Sequence, residues 1–411
     1  MNLLYNIAVL IAGFPLKIIA IFNKKIQFFV EGRKETFSKL TTVISEKDTV
    51  IWFHCASLGE FEQGRPILEK LKKENPTHKI VLTFFSPSGY EVRKNYEMAD
   101  VVCYLPLDTK QNAKKFLDIV NPALAIFVKY EFWPNILSEL NSRAIKTILI
   151  SGIFRENQAF FKWYGSWMRK SLKAFDHFFV QDENSKKLLS SINFNNVTVS
   201  GDTRFDRVYE ITKQENQLPF IEEFKNNKYT LVAGSTWKED EELLVEYINN
   251  NASENEKFII APHNINAEAI EKLKRAIIKK AVLFSEKDQK ELKNYQVFII
   301  DTVGILTKIY SYANVAYIGG GYTKSGVHNV LEPATFGVPI VIGPNYHKFN
   351  EAIDLVEKDA CFTINNSQKL SVLLEKLFQF KEFRKKAGNN ALKYVIDKTG
   401  ATTKILYYLK K

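Results

Sequence analysis

A chain of 411 residues is too long for one ordinary hydrophobic core, so two domains are expected. With 45% hydrophobic and 25% charged residues it is globular rather than disordered, and its scattered cysteines, Cys55, Cys103 and Cys361, exclude a disulfide framework or a cysteine zinc site. The net charge of +11 favours anionic partners, a membrane surface or a phosphorylated substrate, whereas nucleic acid is not expected because no long basic block or recognised module appears.

Residues 3–22 are mostly apolar, interrupted by Asn6, Gly13, Pro15 and Lys17. About twenty apolar residues span a bilayer core, so this length is only just sufficient. No basic segment precedes the run and no small-residue cleavage site ends it, which argues against a signal peptide. Lys24, Lys25, Arg33 and Lys34 follow, placing the downstream chain in the cytoplasm. The expectation is a membrane-anchoring helix within residues 1–30, either spanning or lying shallow with Pro15 as a kink and Lys17 snorkelling; a buried first helix is the alternative.

From residue 48 strand and helix alternate. Apolar runs at 49–54, 79–85, 100–104, 123–128, 146–150, 177–180 and 197–200 read as strands, with helices at 59–73, 110–120 and 134–143 between them. Residues 201–226 are polar, lack a buried strand and read as a linker. A second series follows at 229–234, 257–261, 296–300, 315–318, 340–342 and 361–364, and polar helix formers close the chain. The alternation predicts an α/β fold of two Rossmann-like domains facing a cleft, with ligands at the carboxyl ends of both sheets. Their expected extents are 31–210 and 211–411.

Chemistry-bearing residues gather at strand ends. Ser57-Leu58-Gly59-Glu60 follows the first strand and reads as a capping box with Ser57 as cap. Glu60 then either complements the helix dipole or takes a proton from a substrate hydroxyl. After the fourth strand come Glu131-Phe132-Trp133-Pro134-Asn135, where Pro134 suits a first helical turn and Trp133 suits either the core or a ligand face. In the second half Gly319, Gly320 and Gly321 end a strand and lead through Lys324, Ser325, Gly326 and His328 to Asn329, read as the cap of a short helix through Ala334. Glycines and a helix N-terminus suit a phosphate, and Glu332 suits ribose or sugar hydroxyls.

The whole order GGGYTKSGVHNVLEPATFGVPIVIGP, with SLGE and EFWPN ahead of it, resembles GT-B glycosyltransferases, most closely the Kdo (3-deoxy-D-manno-octulosonic acid) transferases. The resemblance implies CMP-Kdo as donor and a phosphorylated lipid A precursor, lipid IVA-like, as acceptor in lipopolysaccharide core biosynthesis. It also implies an inverting reaction without a metal or other cofactor, at the cytoplasmic face of the inner membrane. It makes Glu60 the general base with Glu131 as a second catalytic residue, and puts Ser57, Gly59 and Trp133 on the acceptor side. Donor binding falls to Gly234, Ser235, His263, Asp301, Gly304, Gly320, Gly321, Ser325, Gly326, Asn329 and Glu332. Three positions depart from the family pattern: Lys129 stands for a glutamate, Pro262 for an arginine and Ile305 for a glutamate. His347, Asn350 and Glu351 resemble the segment closing the motif. The alternative readings are a UDP-sugar transferase or epimerase, and a non-catalytic membrane-tethered nucleotide-binding protein.

Overall fold

Strands buried on both faces need side chains that are apolar throughout, and the runs here meet that requirement. In the computed structural model, which describes residues 2–410, the first seven strands are β1 (Val50–Cys55), β2 (Lys79–Phe84), β3 (Val101–Tyr104), β4 (Leu124–Val128), β5 (Thr147–Gly152), β6 (His177–Val180) and β7 (Val197–Val199). They form one parallel sheet in the order β3-β2-β1-β4-β5-β6-β7, so the order reverses between β1 and β4. The second sheet contains β8 (Tyr229–Thr236), β9 (Glu256–Pro262), β10 (Ala281–Leu283), β11 (Val297–Ile299), β12 (Val315–Ile318), β13 (Ile340–Ile342) and β14 (Cys361–Thr363). Its order is β10-β11-β9-β8-β12-β13-β14, also parallel, with its reversal between β8 and β12. At such reversals the loops leave in opposite directions and open a crevice at the strands' carboxyl ends.

The chain divides into two compact units, Met1–Arg207 with Thr399–Lys411, and Val208–Lys398. The expected second domain of 211–411 therefore differs from the structure at its end. The last helix, Ala401–Leu409, buries Ile405 and Leu406 in the first unit's core beside Leu71 and Phe179. Asp206 fixes the helix start by accepting the N–H groups of Gly400 and Thr402 and the Thr402 hydroxyl. The segment 201–226, expected as a linker, forms helices Thr203–Ile211 and Pro219–Lys225, which bury Phe205, Val208, Ile221 and Phe224. Strand β10 was not expected from the sequence, because three residues in a polar setting give no periodicity.

The N-terminal run is helical over Asn2–Phe22, yet no helix among the described residues is long and apolar enough to cross a membrane. Polar groups tie this helix to the first unit: Tyr5 donates to Asp108 at 2.8 Å and Asn6 accepts from Asn135 at 2.8 Å. Ile11, Ile18, Ile21 and Phe22 are left exposed. The Lys17 side chain, expected to snorkel, lies outside the described residues.

Asp206→Ala leaves two backbone donors of the last helix unpaired and should cost about 1–3 kcal/mol in urea unfolding. An unchanged midpoint and slope would show that this helix contributes nothing to the first unit.

Candidate active site

At the first reversal, β1 and β4 deliver two carboxylates. Glu60 lies in the first turn of helix Leu58–Glu74, just after β1, and its carboxylate turns back to accept the Ala56 N–H. Ser57 occupies the cap position, but its hydroxyl makes no capping bond, which corrects half of the expected capping box. The remaining half is the backward reach of Glu60. A Cβ on Gly59 would meet only Ser57 Oγ, at 3.9 Å, so close packing does not require glycine there.

Glu131 follows β4 and is almost fully buried. Its Oε2 lies 2.8 Å from His54 Nε2 and accepts the Trp133 indole N–H at 2.8 Å. The Trp133 indole N–H also lies 3.1 Å from His54 Nε2, and His54 Nδ1 lies 2.9 Å from the Thr83 hydroxyl. Thr83 in turn accepts the Trp52 indole N–H at 2.8 Å. Glu131 is thus held by a chain of buried groups, and the Trp133 ring is braced against Phe85 at 4.6 Å.

Burial pushes the Glu60 carboxyl from its ordinary 4.5 up to about 7, and the Glu131 charge adds to the rise. The Ala56 and Ser57 N–H groups and the Lys129 cation pull the other way. Lys129, at the family's glutamate position, sits in left-handed backbone with φ +69° and lies 5.2 Å from the Tyr130 ring centre. Arg155 approaches the same ring at 5.7 Å, and the charges of Arg155, Glu60 and Asp182 all act on the Tyr130 hydroxyl. Tyr130, Arg155 and Asp182 escaped the sequence reading because each stands alone beyond a different strand.

At the second reversal β8 and β12 run into loops that touch backbone to backbone. A Cβ on Gly319 would come within 2.3 Å of the Ser235 carbonyl oxygen, and one on Gly234 within 1.9 Å of the Tyr310 hydroxyl. Ser235 takes φ +54° and Gly320 φ +88° to allow this approach. The buried Asp240 carboxylate ties the two loops together by accepting from Gly320 N–H (2.8 Å), Trp237 N–H (2.9 Å) and the Tyr317 hydroxyl (2.7 Å). Burial raises its pKa despite those bonds.

Beyond the glycines, Ser325 bonds Thr323 and Gly326 turns with φ +86° against Phe349. The helix Leu331–Ala334 is a single turn, so its dipole is weak, and the free donors come from the loop: the N–H groups of Ser325 and Asn329 have no protein partner among the described residues. Asn329 accepts the Leu331 N–H and donates to Glu332, whose other oxygen accepts from Thr307 at 2.9 Å. His263, at the end of β9, stacks on Trp237 and His328. Asp301 is engaged elsewhere, accepting from Ser285, and no described contact joins it or Gly304 to the glycine loop. Among the described residues no group of three or more His, Cys, Asp or Glu side chains is placed to hold a metal ion.

Solved structures share this architecture. The UDP-GlcNAc 2-epimerase of Neisseria meningitidis aligns with a TM-score of 0.60 at 15% identity, covering 88% of this chain and all of that one (100%). A glycosyltransferase of Rickettsia africae aligns at 0.53 and 13%, covering 89% and 98%. These likenesses define the fold as the GT-B class, two Rossmann-like units of parallel sheet and helices. Residues 31–207 match the family model for 3-deoxy-D-manno-octulosonic-acid transferase (kdotransferase). The chain is 30% identical over 338 residues to the 3-deoxy-D-manno-octulosonic acid transferase of Aquifex aeolicus, covering 81% of this chain and 87% of that protein. Identity to the Haemophilus influenzae enzyme of that name is 26% over 382 residues, covering 88% and 86%. The chain belongs to the Kdo transferase family and is a glycosyltransferase.

A carboxyl whose folded pKa stands above its unfolded value binds more protons in the folded state between about 4.5 and about 7, so its contribution to stability is lost as pH rises through that window. Glu60→Gln removes that loss and keeps an oxygen for the Ala56 N–H. Urea unfolding should therefore show the variant gaining on wild type from pH 5 to pH 8; a constant difference would mean that Glu60 titrates normally.

Proposed function

We propose that the chain moves Kdo from CMP-Kdo to a hydroxyl of a phosphorylated lipid A precursor, inverting the anomeric carbon, in lipopolysaccharide biosynthesis. The observation that carries this reading is the half-buried Glu60 carboxyl with its pKa near 7, at the strand reversal of the first unit. A base poised near the working pH is at its most effective. The acceptor oxygen attacks the anomeric carbon, its proton passes to Glu60, and the carbon–oxygen bond to phosphate breaks with its electron pair leaving on CMP. The neighbouring Glu131 raises the Glu60 pKa and strengthens the base, while Lys129 lowers it and keeps the base able to ionise. In the second unit the loop of Gly320, Gly321, Ser325 and Gly326 brings the Ser325 N–H, with that of Asn329, to the leaving phosphate, and Glu332 with Asn329 accepts from the sugar hydroxyls. As the family resemblance implies, no metal takes part, and activity persists in a chelator.

In this reading the enzyme works at the cytoplasmic face of the inner membrane. The support is the N-terminal helix, which leaves Ile11, Ile18, Ile21 and Phe22 exposed immediately before Lys24 and Lys25. Apolar side chains beside basic ones suit a shallow seat at an anionic lipid surface.

Incubation with in situ generated CMP-Kdo and a lipid A precursor, read by mass spectrometry, should show additions of whole Kdo units; CMP binding without any addition would contradict the reading. Glu60→Gln should lower turnover about 10²–10⁴-fold with CMP affinity unchanged. The wild-type rate should climb with pH and level off above about 7, as the base ionises. A near-normal rate for the variant would remove Glu60 from the mechanism. Serines at Ile18, Ile21 and Phe22 should weaken binding to anionic phospholipid vesicles at least about tenfold; unchanged binding would place the membrane contact elsewhere.

A further inference from the structure

Three rings converge beside the glycine loop. The Trp237 and His328 ring planes are parallel to within 3°, and the Trp237 indole N–H donates to His328 Nε2 at 2.9 Å. His263 lies across both, with centroids 4.8 Å from Trp237 and 4.4 Å from His328 and planes tilted 19° and 22°. An indole nitrogen has no lone pair to offer and can only donate, so the His328 Nε2 that receives it carries no proton. Burial and the neighbouring His263 push the His328 pKa down to about 4, which keeps the ring neutral at physiological pH. A neutral ring bare at Nε2 carries its proton on Nδ1.

The rest of the ring's surroundings turn that proton toward a ligand. Its Cδ2–Nε2 edge faces Gly320, where an added Cβ would meet those atoms at 2.8 and 3.2 Å. The backbone N–H of His328 is spent on the Gly319 carbonyl, and Nδ1 has no protein partner among the described residues. A phosphate offers only acceptors, and a fixed neutral donor binds it without the cost of desolvating a cation.

We propose that Trp237 is a positioning residue, whose indole N–H locks His328 in the Nδ1–H form so that this proton donates to the phosphate of the nucleotide-sugar. The inference rests on the donor-site reading of the second unit. It gives the phosphate a side-chain donor on the unit in which Pro262 stands at the family's arginine position. His263 stacks over the pair and keeps it flat.

The test is long-range ¹H–¹⁵N NMR of the histidine rings in wild type and Trp237→Phe, with CMP titrated by calorimetry into both. In wild type His328 should show protonated Nδ1 and bare Nε2; the Nε2–H form would overturn the proposal without any variant. Trp237→Phe keeps a ring against His263 but no N–H, so His328 should become a tautomer mixture and CMP affinity should fall about tenfold, the worth of one well-placed hydrogen bond. His328→Asn, whose amide N–H replaces the one on Nδ1, should hold more CMP affinity than His328→Gln. If wild type binds CMP and Trp237→Phe binds it equally well, the lock is wrong and the donor-site reading stands. If wild type does not bind CMP, that reading fails and takes the lock's purpose with it.

Discussion

Two carboxylates brought to the ends of adjacent strands cannot both ionise cheaply when one is half-buried and the other almost wholly so. Here the conflict is resolved by unequal partners. Glu131 receives His54 and the Trp133 indole, whereas Glu60 receives mainly backbone N–H groups and holds its proton up to about pH 7. The asymmetry depends on the sheet order, since β1 and the parallel β4 are neighbours because the strand order reverses between them. The Trp52–Thr83–His54 chain holds Glu131 in place.

The second unit applies the same topology to a different task. At its reversal the loops after β8 and β12 approach so closely that only glycine fits at Gly234 and Gly319, and one buried aspartate, Asp240, fastens them. The result is a rigid loop of backbone donors with an aromatic and imidazole stack at its edge. In the proposed reaction the first unit supplies the proton acceptor and the second the hydrogen-bond donors.

Much of this was legible in the sequence because buried parallel strands leave no room for polar residues. Thirteen of the fourteen strands among the described residues stand as apolar runs, and the glycines at 319–321 and 326 announce a backbone that side chains would obstruct. What escaped has a common cause: it depends on contacts between residues far apart in the chain. Asp206 captures a helix that begins nearly two hundred residues later, so contiguity misassigned the C-terminal segment. Ser57 looks like a cap by spacing, but the Glu60 carboxylate takes the local backbone donors and the serine hydroxyl makes no capping bond. Trp237 and Asp240 read as an ordinary aromatic and an acidic first turn, and only the fold reveals that one meets His328 and the other Gly320. The apolar run at the start of the chain shows nothing of the bonds by which Tyr5 and Asn6 join it to Asp108 and Asn135.

The account turns on Glu60 being tuned, and its titration can be observed directly. Selective ¹³C labelling of glutamate carboxyls, with Glu60 assigned by comparison with Glu60→Gln, gives its pKa in the resting enzyme. The expected midpoint is about 7. A midpoint near the ordinary 4.5 would mean that the Glu60 carboxyl is not desolvated by its pocket, and the case for it as the proton acceptor would lose its physical basis.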